Sequence, residues 1–145
     1  MSYDKPIPIP DTLSEGHWAA ARSGVLTVQR CLHCSHYAHP PEPLCRVCRS
    51  LDARFEWQKV SGEGRLKSWT FLRNAMIPAF NDELPIAIGV VELREQAGLL
   101  MLGRIVPANA IGSLPPLSPG MPVTAKFEHV TATVSLVRFA PVAAA

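Results

Sequence analysis

Four cysteines, Cys31, Cys34, Cys45 and Cys48, fall in the pattern C-x2-C-x10-C-x2-C, and none is left over. A C-x-x-C turn presents two sulfurs to one ion while its backbone amides point at the thiolates. Two such knuckles supply four ligands at tetrahedral corners. Closed four-sulfur coordination leaves no position for water or substrate, so the spacing predicts a structural zinc ion whose binding contributes directly to folding. The opening MSYDKPIPIP has neither the basic start nor the apolar core of a secretory signal. A reducing, cytoplasmic setting is therefore expected, with thiolates in place of disulfides. An iron site of rubredoxin type uses similar spacing and is the alternative metal. A dithiol redox pair needs only one C-x-x-C. His33, His36 and His39 lie between Cys31 and Cys45 and are expected to face solvent, with Pro40 and Pro41 stiffening the crossing.

The 145 residues suffice for one compact domain or for a small module fused to a larger one. No run approaches the roughly 20 apolar residues of a membrane-spanning helix. Pro6, Pro8 and Pro10 alternate in an extended arm that cannot be helical. LSEGHWAAARSG follows, an Ala-rich helix with Asp11, Thr12 or Ser14 as cap and Gly24 as stop. Leu13, Trp18 and Ala21 share one of its faces, turned either to a partner or to the chain's own core. VLTVQR alternates straight into Cys31 as a half-buried strand. Phe55, Trp57 and Val60 alternate after Cys48, so a returning strand closes a three-element ribbon. SGEG at 61–64 reads as a flexible joint.

Beyond the joint, five strand-like stretches at 65–73, 86–93, 99–106, 121–128 and 132–139 are separated by Gly and Pro at short intervals. That punctuation predicts a small Greek-key barrel of OB type, with little room for the usual helix in 107–120. The expected fold is thus mainly β: an arm and helix over 1–24, a rubredoxin-like four-cysteine zinc ribbon over 25–62, a five-stranded OB-type barrel over 63–140, and a mobile tail over 141–145.

Signatures such as G-x-S-x-G, H-E-x-x-H or a phosphate-binding loop are absent from the sequence. His17 and His129 stand alone, Glu92 is a single carboxylate in a strand, and no catalytic residue is assigned. Ligand-binding candidates are Arg65, Lys67, Trp69, Phe71 and Arg73, all odd-numbered on the first barrel strand and so expected on one face. Aromatic and basic side chains together suit a nucleotide or a coenzyme A phosphate. The alternative is that both aromatics are core, with the cations snorkelling at the rim. The loop from 74 to 85 carries Met76, Ile77, Pro78 and Phe80, apolar for a connection, and suggests a partner surface or an acyl channel.

In this order, SEGHW, VLTVQRC, the C-x2-C, PP, C-x2-C ribbon with its PPEPLCRVC segment, SGEG, Pro85 and VVEL resemble one family over residues 11–140. It is the zinc-ribbon plus OB-fold family of acyl-CoA-associated accessory proteins, long catalogued as a domain of unknown function. Ser35 departs from it where Gly is commoner. The resemblance implies an accessory subunit that leaves catalysis to its partner. The partner is a thiolase-superfamily enzyme (thiolase, condensing enzyme or aldolase) or a hotdog-fold enoyl-CoA hydratase, with a CoA thioester at or near the shared interface. It places partner contacts on Trp18, Met76, Ile77 and Phe80.

The leading expectation is a zinc-stabilised, non-catalytic subunit of a heteromeric acyl-CoA enzyme complex. A nucleic-acid-binding module is the alternative from another class. It is disfavoured because the barrel half has seven Lys or Arg against five Asp or Glu, with no basic stripe. An independent acyl-CoA carrier ranks third.

Overall fold

The computed structural model describes residues 3–142. The architecture is mainly β: one helix, a three-stranded ribbon and a closed five-stranded barrel. The proline arm carries no regular structure, and Lys5 ties it to the barrel through Glu83 at 2.7 Å. Helix α1 spans Glu15–Arg22, with Ser14 at its N-cap position. Asp11 braces the turn that leads in: its Oδ1 accepts from the Ser14 hydroxyl at 2.6 Å and from the Ser14 amide at 2.8 Å. Gly24, at φ +72°, provides the left-handed exit.

The ribbon comprises β1 (Thr27–Cys31), β2 (Tyr37–Ala38) and β3 (Phe55–Lys59), in the antiparallel order β2-β1-β3. Cys31 lies opposite Phe55, and Gln29 lies opposite both Trp57 and Ala38. Strand β1 departs from the expected half-burial, since Leu26, Thr27, Val28 and Gln29 are all buried. Helix α1 packs against this strand, and the crossing between the knuckles is bonded to Gln29, so little of either side is left to water.

The barrel strands are β4 (Glu63–Leu72), β5 (Ile86–Leu93), β6 (Leu100–Ile105), β7 (Pro122–His129) and β8 (Ser135–Pro141). They close in the order β4-β5-β6-β8-β7, the Greek-key circuit of an OB fold. Among the described residues no helix occupies 107–120. A 3-10 turn at Pro78–Glu83 lies instead in the first loop. Leu66, Val91, Ile105, Val123 and Phe139 fill the interior, and the same hydrophobic cluster takes in Leu26, Val28 and Val60 from the ribbon side. The glycines of SGEG serve close packing. Glu63 and Gly64 pair with Thr124 and Val123, and a Cβ on Gly64 would meet the Glu92 carbonyl at 2.6 Å. Of the tail expected over 141–145, Pro141 ends β8 and residues 143–145 lie outside those described.

One irregularity alters the first barrel strand. The β4–β5 register slips by one residue between Leu66 and Ser68, which leaves Lys67 without a cross-strand partner. A bulge of this kind reverses the side-chain parity beyond it. Leu66 is buried, and after the bulge it is Trp69 that packs on the core, across from Gly89. The expectation that Arg65, Lys67, Trp69, Phe71 and Arg73 share one face is therefore corrected. Arg65 and Lys67 lie before the slip, on the side opposite to Leu66. Trp69 and Phe71 have rotated to the side that Leu66 occupies.

Candidate metal centre

The first knuckle hangs from the end of β1, and the second lies in the excursion between β2 and β3. Their local geometry repeats. The Ser35 amide donates to the Cys31 carbonyl at 2.8 Å, and the Arg49 amide donates to the Cys45 carbonyl at 3.0 Å. Ser35 and Arg49, each one residue past its knuckle, are both left-handed, at φ 66° and 52°. The departure from Gly at position 35 thus falls at a position where the turn demands positive φ. The crossing between the knuckles is fixed by a side chain acting as a surrogate peptide. Buried Gln29 accepts from the Glu42 amide at 2.9 Å and donates to its carbonyl at 2.7 Å.

These constraints bring the four sulfurs within 4.8 Å of one another. Cys31 and Cys48 are 3.8 Å apart, and Cys34 and Cys45 are 3.6 Å apart. A tetrahedron with Zn–S bonds of about 2.3 Å has edges of about 3.8 Å, so the donor set fits zinc. The amide of Cys48, aided by that of Val47, draws the Cys45 thiol down to about 7 despite its burial. The Ser50 amide pulls Cys48 in the same direction, but burial and the neighbouring sulfurs outweigh it and push this thiol up to about 11. Four thiols crowded in this way ionise together only with a cation among them. Bound zinc would supply a cross-link between the knuckles, and the four-sulfur set leaves no ligand position for substrate.

The histidines between Cys31 and Cys45 divide. His33 is exposed, whereas His39 is half-buried and packs toward His17, with ring centroids 6.3 Å apart. This corrects the expectation that His39 faces solvent and that His17 stands alone. Burial, with the proximity of His17, holds His39 down at about 4. Burial likewise lowers His17, although the Thr27 carbonyl at 3.3 Å from its Nδ1 opposes the shift. His129 is bonded to buried Ser135 at 2.6 Å, a link between β7 and β8.

Three consecutive residues of the turn after β5 hold ribbon, joint and barrel together. Arg94 pairs with Glu63. Glu95 accepts from the Ser61 amide at 2.6 Å. Gln96 exchanges two hydrogen bonds with the Tyr37 backbone, both at 2.9 Å. No local sequence signal marks Gln29 or Gln96, because their roles depend on contacts 13 and 59 residues away.

Of the expected ligand residues, Arg65 borders a groove of about 780 Å³ with Glu63, Glu92, Arg94 and Pro122, and its Nη1 donates to the Gly120 carbonyl at 3.0 Å. Lys67 pairs with Glu92 at 3.4 Å. Trp69, Phe71 and Arg73 lie further along the chain and do not line the groove. Of the expected partner contacts, Met76 and Ile77 are exposed. Phe80 is half-buried under the Lys5 ammonium, and Trp18 is half-buried with its indole edge-on to His17.

Comparison with known proteins finds two modules in this order. Residues 18–52 match the model of the ChsH2 rubredoxin-like zinc ribbon domain, and residues 57–128 match that of the ChsH2 C-terminal OB-fold domain. Among solved structures, one described as "Ltp2-ChsH2(DUF35) aldolase" is 29% identical, with a TM-score of 0.77 over 93% of this chain and 98% of that one. A protein of unknown function from the DUF35 family of Sulfolobus solfataricus is 14% identical. It has a TM-score of 0.58 over 90% of this chain and 86% of that one, a likeness of fold alone. No curated protein matches. No helix among the described residues is long and apolar enough to cross a membrane. With both modules matched in order and a ribbon able to bind zinc, the chain belongs to the ChsH2/DUF35 family, which joins a rubredoxin-like zinc ribbon to an OB-fold domain.

Proposed function

We propose that this chain is a non-catalytic, zinc-stabilised subunit of a heteromeric acyl-CoA enzyme complex, held by a thiolase-superfamily partner and assisting assembly and CoA-thioester binding. The observation that carries this reading is the likeness, over 93% of the chain, to a structure described as "Ltp2-ChsH2(DUF35) aldolase", words that couple a second name to ChsH2. The site chemistry supports it. The metal donor set is closed, His129 is engaged with a buried serine, and His17 and His39 are packed against each other. The groove bordered by Arg65 and Arg94 is the place proposed for the polar end of a CoA thioester, with Lys67 at its margin.

The test is an affinity pull-down of the tagged full chain from its native extract. Bound proteins are identified by mass spectrometry, and the eluate is assayed for thiolysis, aldol cleavage and enoyl-CoA hydration. A stoichiometric thiolase-like partner with activity is expected. A hydratase partner moves the proposal to the hotdog-fold alternative, and an eluate without any partner overturns it.

A further inference from the structure

OB barrels that bind single-stranded nucleic acid present aromatic and basic side chains on the outside of their ligand-binding strands. Here the bulge at Lys67 has turned Trp69 and Phe71 away from that face, and what remains outside sets aliphatic Ile88, Val90, Leu102 and Leu72 beside Ser68, Thr70 and Arg104. The cross-strand register sets Ser68, Val90 and Leu102 in one row and Thr70, Ile88 and Arg104 in the next, with Leu72 opposite Ile86. Leu102 is 69% exposed, Leu100 43% and Leu72 40%. A barrel face turned to water ordinarily alternates to polar residues at these positions. The chain then leaves the face at Leu72 for the loop that carries exposed Met76 and Ile77.

Two cations of this face are matched within the chain, Lys67 with Glu92 and Arg104 with Glu83, and Arg65 at its border donates to the Gly120 carbonyl. A polyanion therefore meets neither a stacking ring nor an unpaired cation among these rows. Neither the 780 Å³ groove nor the 160 Å³ pocket beside the ribbon is lined by Ile88, Val90 or Leu102. An open sheet surface whose rows carry no unpaired charge and whose most exposed side chains are leucines complements an apolar, uncharged patch on a folded protein, where both sides are desolvated without stranding an ion.

We infer that the outer face of β4, β5 and β6, centred on Val90 and Leu102, is the docking surface for the partner enzyme subunit, which meets it with an apolar patch free of charge. This rests on the accessory-subunit reading and adds which face is used and what chemistry meets it.

The partner identified with the wild-type chain is purified and titrated with zinc-loaded wild-type, Leu102→Asp and Leu102→Met chains, each checked for metal content and circular dichroism. Hydrogen exchange of the wild-type complex gives a footprint that needs no variant. Leu102→Asp is expected to weaken binding about a hundredfold, since it buries an unpaired carboxylate. Leu102→Met should stay near wild type, and residues 86–93 and 100–105 should gain protection. A folded Leu102→Asp chain that binds normally, or protection confined to other segments, overturns this surface and leaves the accessory role standing. Loss of self-association or of oligothymidylate binding in Leu102→Asp, with partner affinity unchanged, assigns the face to a second copy or to nucleic acid and also overturns the inference. Absence of any partner for the wild-type chain removes the accessory role itself.

Discussion

Ser35 and Arg49 hold equivalent places in the two knuckles, and each adopts a left-handed conformation so that its amide can reach the carbonyl of the first cysteine. A β-branched side chain tolerates that conformation poorly, at a cost of about 1–2 kcal/mol relative to glycine. Arg49→Val is therefore expected to loosen zinc in competition with a chromophoric chelator, while Arg49→Gly retains it. Equal metal retention by both variants would show that the turn is not constrained. His39 has a separate consequence. Burial and the nearby His17 lower it from 6.5 to about 4, so the folded state takes up its proton less readily than the unfolded chain. Its contribution to stability is then fully present above about 6.5 and is lost as the pH falls toward 4. An NMR titration should find the His39 ring neutral down to about pH 5, and a midpoint near 6.5 would contradict its burial.

Helix α1 approaches β3 so closely that a Cβ on Gly16 would lie 2.1 Å from the Trp57 indole. Gly16→Ala gains up to about 1 kcal/mol in helix propensity, but overpacking costs about 1–3 kcal/mol where a large ring must move. The clash wins, so the variant should lower the urea midpoint. Gln96→Leu removes both hydrogen bonds to Tyr37 and leaves backbone groups unmatched at the seam. A loss of about 1–3 kcal/mol is expected, with faster amide exchange at Tyr37 as the local readout. All five barrel strands were legible because their apolar and polar residues alternate between Gly and Pro breaks. The bulge also left a sign: Lys67 and Ser68 are consecutive polar residues, after which the alternation resumes out of phase at Trp69. Reading parity by residue number passed over that interruption. The burial of Gln29 and the partial burial of His39 had no comparable signal, since they depend on the knuckle crossing and on helix α1 folding back against β1.

Zinc site and barrel are energetically joined, because Leu26, Val28 and Val60 belong to the same hydrophobic cluster as Leu66 and Phe139. Chelation, or Cys45→Ala, should consequently lower the thermal midpoint of the barrel as well as unfold the ribbon, and it should release the partner with the metal. A barrel whose melting is unchanged after zinc removal would mean that the modules are independent. The cysteine pattern carried the metal site fully, since ligand identity and spacing alone specify it. The expectation of a partner rested on the resemblance and on the apolar loop at 74–85, whereas the proposed docking face depends on the pairing of distant strands, which spacing alone does not display. The most direct test of the accessory role is reconstitution, comparing kcat/KM for acyl-CoA turnover by the purified partner alone, with this chain, and with its Cys45→Ala variant. The account predicts full activity only with the zinc-loaded chain and none from the chain by itself. Turnover by the isolated chain, or undiminished activity of the partner without it, would contradict the account.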